Sequence, residues 1–193
     1  VHTVLAMMQD HGKVAIKKDG FTFHVCQLRP ESRGRVGLRS ADPLADPAIF
    51  ANYLSAEEDR RAMRQGVKMM REVAAQAALK PYIKEEYSPG AGVRSDADID
   101  AWIRRSAETI YHPVGTCRMG AAGDPMAVVD ANCRVQGLSG LRVVDASVMP
   151  TLVGGNTNAP TMMIAEKISD AIRGKPFLPA DDAPVFEGGK AAA

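Results

Sequence analysis

The chain has 193 residues, 46% hydrophobic and 24% charged, with a net charge of +1, an ordinary globular composition with room for one large domain or parts of two. That charge gives no electrostatic reason for a nucleic-acid partner, and an aromatic share of 5% leaves too few rings for a base-stacking platform. No apolar run approaches the ~20 residues of a membrane span, and the start lacks the layout of a signal peptide.

Taken in chain order, Phe21, Phe23 and Val25 alternate with Thr22, His24 and Cys26, the period-two pattern of a half-buried strand over 21–28. The Pro30-to-Gly37 stretch turns the chain, and 36–40 is expected to pair back as a second strand. Ser55, with Glu58 three residues later, has the form of a capping box opening a helix. Met63, Val67, Met70, Val73, Ala74, Ala77 and Ala78 mark its buried face, and Pro81 is expected to stop it. A Gly/Pro/Ser-rich connector, 88–95, leads into a second helix with Ile99, Trp102 and Ile103 on its apolar side. After Gly120 loops and short strands run to an apolar strand over 141–145. A last helix is predicted from Pro160, suited to a first helical position, to Arg173, with Gly174 as its C-terminal cap. Residues 176–193 carry little apolar content and read as a surface or frayed tail.

Cys26, Cys117 and Cys133 are odd in number and widely spaced, which argues against a disulfide scaffold or a zinc site and for reduced thiols in a cytoplasmic protein. Peripheral association with the inner membrane is left open as an alternative. No metal site is expected. The first residue is Val1 rather than Met, so the chain reads as cut at its start.

Two polar positions stand out. His112 is a histidine, a residue type whose imidazole suits general-base work. Pro113 holds it extended, and Gly115 and Gly120 bracket a loop able to approach a ligand closely. Asn156 lies in Gly154-Gly155-Asn156-Thr157-Asn158, a run that by itself reads as turn chemistry. Asp145 by itself reads as a turn or helix cap, and Cys117 is left unassigned. His2, His11 and His24 belong to no motif and are read as structural.

Four segments follow one another: 111–120 (Tyr-His-Pro-Val-Gly-Thr-Cys-Arg-Met-Gly), 128–130, 141–147 and 154–161. In this order and spacing they resemble the C-terminal signature of the glucose–methanol–choline (GMC) flavoprotein oxidoreductases, in the choline- and alcohol-dehydrogenase-like branch. The order of helices and strands, without a clean parallel βαβ series, reads as an α+β fold with an antiparallel sheet in its first part, and the resemblance implies how that fold divides. Residues 1–110 would belong to the antiparallel sheet and helices of a substrate domain. Residues 111–175 would supply the last strand and helix of an FAD-binding domain, and 176–193 the tail.

It further implies FAD as cofactor, a small alcohol as substrate and a quinone or similar electron acceptor. His112 would be the base facing the flavin. Asn156, an amide that cannot act as a base, would hold the substrate oxygen as it becomes an alkoxide. Asp145 and Ala146 would lie against the ribityl–pyrophosphate part. Asn156, Thr157, Asn158, Pro160 and Thr161 would bring a positive helix tip to the flavin. The glycine-rich turn with which such a cofactor site begins is missing. Gly90-Ala91-Gly92 comes nearest, but Ser95 stands where a third glycine belongs. An N-terminal FAD-binding half, in cis or in trans, is therefore an implied partner. The alternative reading is a truncated or split-gene product that acts only as a subunit.

Overall fold

The computed structural model describes residues 1–179 and 181–183. The fold is α+β, with short antiparallel strands and, among the described residues, three α-helices. Among the described residues no helix is long and apolar enough to cross a membrane. Of the expected tail, most lies outside the described residues; Phe177 and Leu178 are exposed.

The strands join two by two. β1 (His2–Val4) pairs with β4 (Thr22–His24), β2 (Met8–Gln9) with β3 (Val14–Ala15), and β5 (Arg35–Gly37) with β6 (Ala48–Phe50), all antiparallel. The alternation over 21–28 thus yields three residues of strand, and its partner is β1 rather than 36–40. The reason lies in the loop between β4 and β5. The Glu31 and Ser32 amide N–H groups donate to the Asp59 carboxylate at 2.9 and 2.8 Å, so this stretch serves a helix instead of closing a hairpin.

That helix is α1 (Glu57–Ala74). The expected capping box at Ser55 does not form, and the cap position is Ala56. The Ser55 hydroxyl accepts from Asn52 Nδ2, while the Ala56 N–H donates to Ser32 Oγ at 3.0 Å; Glu58 pairs forward with Arg61. The helix also ends before Pro81. Beyond Ala74 the chain tightens into three-residue turns, and Ala77 and Ala78 are exposed. Met63, Val67 and Met70 are half-buried. A side chain at Gly66 would come within 2.3 Å of Val25, so α1 lies directly on the segment following β4.

α2 (Asp96–Ser106) has the capping box that α1 lacks. Ser95 Oγ accepts from the Asp98 N–H at 3.1 Å, and Asp98 Oδ2 accepts from the Ser95 N–H at 3.0 Å. Ile99 and Ile103 are buried and Trp102 half-buried, as the apolar spacing requires. The two helices pack together and are bridged by Arg64 to Asp96 and Asp100 and by Lys68 to Asp96.

The second half of the chain has its own core of Val129, Cys133, Val148 and Ile168, flanked by Met119, Val128, Val135, Val143, Val144 and Ile164. Burial pushes the Cys133 thiol above its ordinary pKa, as expected of a packing residue. No strand forms over 141–145. Arg142 makes one isolated bridge to Arg134, and Val129 bridges Met119 and Val135. Left-handed residues at Cys133, Gly137 and Gly140 lie between the bridged positions Val129 and Arg142. Asp130 holds this region together by accepting from the Arg134 and Asn132 N–H groups at 2.9 and 2.8 Å. The last helix, α3 (Asn158–Ile172), begins two residues before Pro160, which occupies its third position. Gly174 follows at φ +71° and closes it as expected. Ile168 is buried, whereas Ile172 is exposed.

Asp59 is 2% exposed. Burial by itself would raise its carboxyl pKa. The Ser32 hydroxyl, the Glu31 and Ser32 N–H groups and the Gln27 side chain outweigh that and hold it below the ordinary range. Asp59→Ala is expected to cost about 1–3 kcal/mol by leaving these donors unpaired, measured by urea unfolding. Because the folded-state pKa is the lower one, this contribution is complete above the unfolded carboxylate pKa. It is lost as pH falls through the folded value. The gap between wild type and Asp59→Ala should therefore narrow in acid.

Candidate functional site

The histidine motif is tied to its downstream segments by main-chain hydrogen bonds. The Cys117 N–H donates to Ser147 O at 3.0 Å and the Met119 N–H to Val148 O at 2.8 Å. The Gly120 N–H donates to Val129 O, and the Val128 N–H to Arg118 O. Segments 116–120, 128–129 and 146–148 therefore form one irregular unit on the Val129–Val148 core. Gly115 has φ +84°, and a side chain there would meet Met149 O at 3.4 Å. This conformation, open to glycine at little cost, swings the chain from the knitted segment out to His112.

His112 and Asn156 line the same cleft, of ≈ 200 Å³. Its walls come from both halves of the chain: His2, Cys26, Gln27 and Leu28 from the first, and Ile110, Leu152 and Val153 around the two motif residues. Gly154 lies against the Arg29 guanidinium, with Nη2 3.3 Å from where a Cβ would sit, and Gly155 is open. No carboxylate is among the lining residues. His112 is half-buried and Asn156 exposed. The cleft thus offers one imidazole and one amide to a small molecule, within mostly apolar walls.

The remaining expected residues do not line this cleft. Asp145 is the cap of a short 3₁₀ turn, Ala146–Val148; its Oδ1 accepts from the Ser147 N–H at 2.8 Å. Its side chain is exposed, and Ala146 is half-buried. Val148 of this turn and Ile168 of α3 share one core, which joins the Asp145 segment to the last helix. Thr157 occupies the cap position of α3 without a capping side-chain bond. Asn158 is exposed and Pro160 half-buried. Thr161 Oγ1 donates to Thr157 O at 2.6 Å. Among the described residues the Asn158 and Ala159 N–H groups at this end have no hydrogen-bond acceptor outside the helix, as is common for first-turn donors. Among the described residues no group of His, Cys, Asp and Glu is arranged to hold a metal.

Reading by motif passed over Gln27, Leu28 and His2 as cleft residues. They sit on a short strand or just beyond one, and the pairing of β1 with β4 sets His2 beside the segment that runs on to Gln27 and Leu28, all of which share the cleft with 152–156. His11, read as merely structural, makes contacts with Glu108 and Tyr111, immediately before His112.

The GMC oxidoreductase family model (C-terminal domain) matches residues 30–165. An oxygen-dependent choline dehydrogenase of Acinetobacter baumannii is 48% identical over 185 residues, covering 96% of this chain and 33% of that protein. Pyridoxine 4-oxidase of Mesorbium loti superposes with a TM-score of 0.71 at 37% identity, over 77% of this chain and 29% of the other. Aspergillus oryzae formate oxidase, an FAD protein, does so with a TM-score of 0.67 at 30% identity, over 73% and 24% of the two chains. The chain spans about a third of the length of the curated relatives it matches. With a family model covering most of it and relatives aligned along nearly its whole length, the chain belongs to the GMC oxidoreductases, a family of FAD-dependent flavoproteins, and corresponds to their C-terminal part.

Proposed function

We propose that this chain forms the C-terminal part of an FAD-dependent oxidoreductase that acts on the CH–OH group of a small alcohol. The observation that carries this reading is that His112 and Asn156, from two separate motifs, line one small cleft. The residues present fit the flavin end of FAD. An uncapped helix tip directly follows Asn156, and its partial positive charge suits an electron-rich carbonyl. Asp145 has one carboxylate oxygen engaged by Ser147, leaving the other to accept from a hydroxyl. In this reading 111–175 belongs to the FAD-binding domain and 1–110 to the substrate domain.

When bound, FAD supplies the acceptor for the hydride that leaves the alcohol carbon. His112 takes the hydroxyl proton as general base, through whichever ring nitrogen faces the cleft. The Asn156 amide N–H donates to the same oxygen and stabilises the negative charge that grows there. Leu28, Leu152 and Val153 line the cleft beside the two groups with apolar surface. For the electron acceptor we propose a quinone or similar carrier; hydrogen peroxide formation during turnover would assign that role to oxygen instead.

The test uses the complete flavoenzyme, with this chain joined to an FAD-binding N-terminal half. Asn156→Ala is expected to slow anaerobic flavin reduction by about 10²-fold, in the range for removal of one donor to a developing oxyanion. FAD content should be unchanged. A reduction rate equal to wild type would remove Asn156 from the mechanism.

A second reading is favoured by the apolar side chains left exposed, Leu5, Leu38 and Leu44 among them. In it the chain, made by itself, is a subunit without activity that waits for a partner. Recovery of activity on co-expression with an N-terminal half supports the enzyme reading; binding without activity supports the subunit.

A further inference from the structure

We propose that His11 is a positioning residue for His112, acting through Tyr111 and Glu108; the inference rests on the reading of His112 as the base. His11 lies in the turn between β2 and β3, far from the histidine motif in sequence. Its backbone N–H donates to both oxygens of Glu108, at 3.2 and 3.0 Å. Its Nδ1 is 3.3 Å from Glu108 Oε2 and is hydrogen-bonded to the Tyr111 hydroxyl. The two rings lie 5.3 Å apart at a tilt of 55°.

The segment held in this way is the linker from α2 to His112, which has neither helix nor strand of its own. It is pinned a second time by Thr109. Thr109 Oγ1 accepts from the Tyr111 N–H at 3.0 Å and from the Tyr53 hydroxyl at 3.1 Å. Tyr111 sits at φ +60° and His11 at φ +53°. Residues bearing side chains persist in that region only where the surroundings enforce it. The Tyr111 conformation turns the chain immediately before His112, so it sets the direction in which the imidazole enters the cleft.

His112 has no side-chain hydrogen-bond partner of its own among the described residues. Its orientation is therefore inherited from the backbone on either side. Pro113 restrains the following bond, and the Tyr111–His11–Glu108 contact restrains the preceding one. A base within reach of a substrate proton tolerates little displacement, so a group that fixes this approach changes turnover without touching the substrate.

The experiment uses the complete FAD-loaded enzyme and two variants, His11→Ala and Tyr111→Phe. In each, kcat should fall by about tenfold, below the roughly 10²-fold loss that a ~1 Å misplacement can cause, with KM and FAD content within about twofold of wild type. In a His112→Ala background neither change should lower the residual rate further, because the group they position is gone. An unchanged kcat in both single variants, or the same fold loss with His112 already removed, overturns the inference. Tyr111→Phe keeps the ring and removes one hydroxyl, so it carries the test if His11→Ala does not fold. A His112→Ala variant with normal flavin reduction would instead defeat the underlying assignment of the base.

Discussion

Replacing His112 with alanine in the complete flavoenzyme should lower the rate of flavin reduction by about 10²–10⁴-fold, the usual worth of a positioned general base, while FAD stays bound. The expectation follows from the composition of the cleft. Its walls offer His112 and Asn156 from the motifs, with Gln27, Cys26 and His2 beside them, and no carboxylate. An amide cannot take a proton, and His2 belongs to the β1–β4 pair rather than to the segment knitted to the Asp145 turn. His112 is thus the base that the motif unit itself presents. Stopped-flow reduction under anaerobic conditions is the direct measurement, with bound FAD checked by absorbance after gel filtration. The loss should fall on the reduction step and leave reoxidation near its normal rate. A variant that reduces at wild-type speed would move the base to another residue, and His2→Ala would be the next test.

The 193-residue chain produced by itself should neither retain FAD nor oxidise alcohols. Its described residues offer the free tip of α3 and one oxygen of Asp145. Among the described residues no glycine-rich strand–turn–helix is present to cradle a pyrophosphate: Gly90 and Gly92 lie in turns between α1 and α2. The cleft of ≈ 200 Å³ is small beside the 300–1,000 Å³ of common ligand sites. Leu38 and Leu44 are about nine-tenths exposed, and apolar surface of this kind favours association. The purified chain is therefore expected to be colourless and oligomeric or poorly soluble, and to become yellow and soluble when co-expressed with an N-terminal half. A yellow monomer with stoichiometric FAD would show that the segment holds its cofactor unaided.

Local chemistry decided a good part of this protein. The apolar spacing of Ile99 and Ile103 determined which side of α2 is buried, because a helix of that period has one inward face. Gly174 closes α3 as its place in the sequence indicated, since glycine adopts the left-handed cap at no steric cost. The ordered motifs at 111–120, 128–130, 141–147 and 154–161 were enough to indicate the family, which the match over 30–165 establishes. Tertiary structure decided the rest. Ser55 and Glu58 satisfy the local rule for a capping box, yet Ser32, from a distant loop, takes the Ala56 N–H and Asp59 takes the loop in return. The 21–28 alternation gave no information about its partner, because period two defines faces and not neighbours; the partner is β1. The meeting of His112 and Asn156 in one cleft, with Gln27 and Leu28 opposite them, depends on the same strand pairing and on the main-chain bonds from Cys117 and Met119 to the 146–148 turn. Those bonds join segments far apart in sequence through backbone groups that every residue shares, so no side-chain pattern announces them.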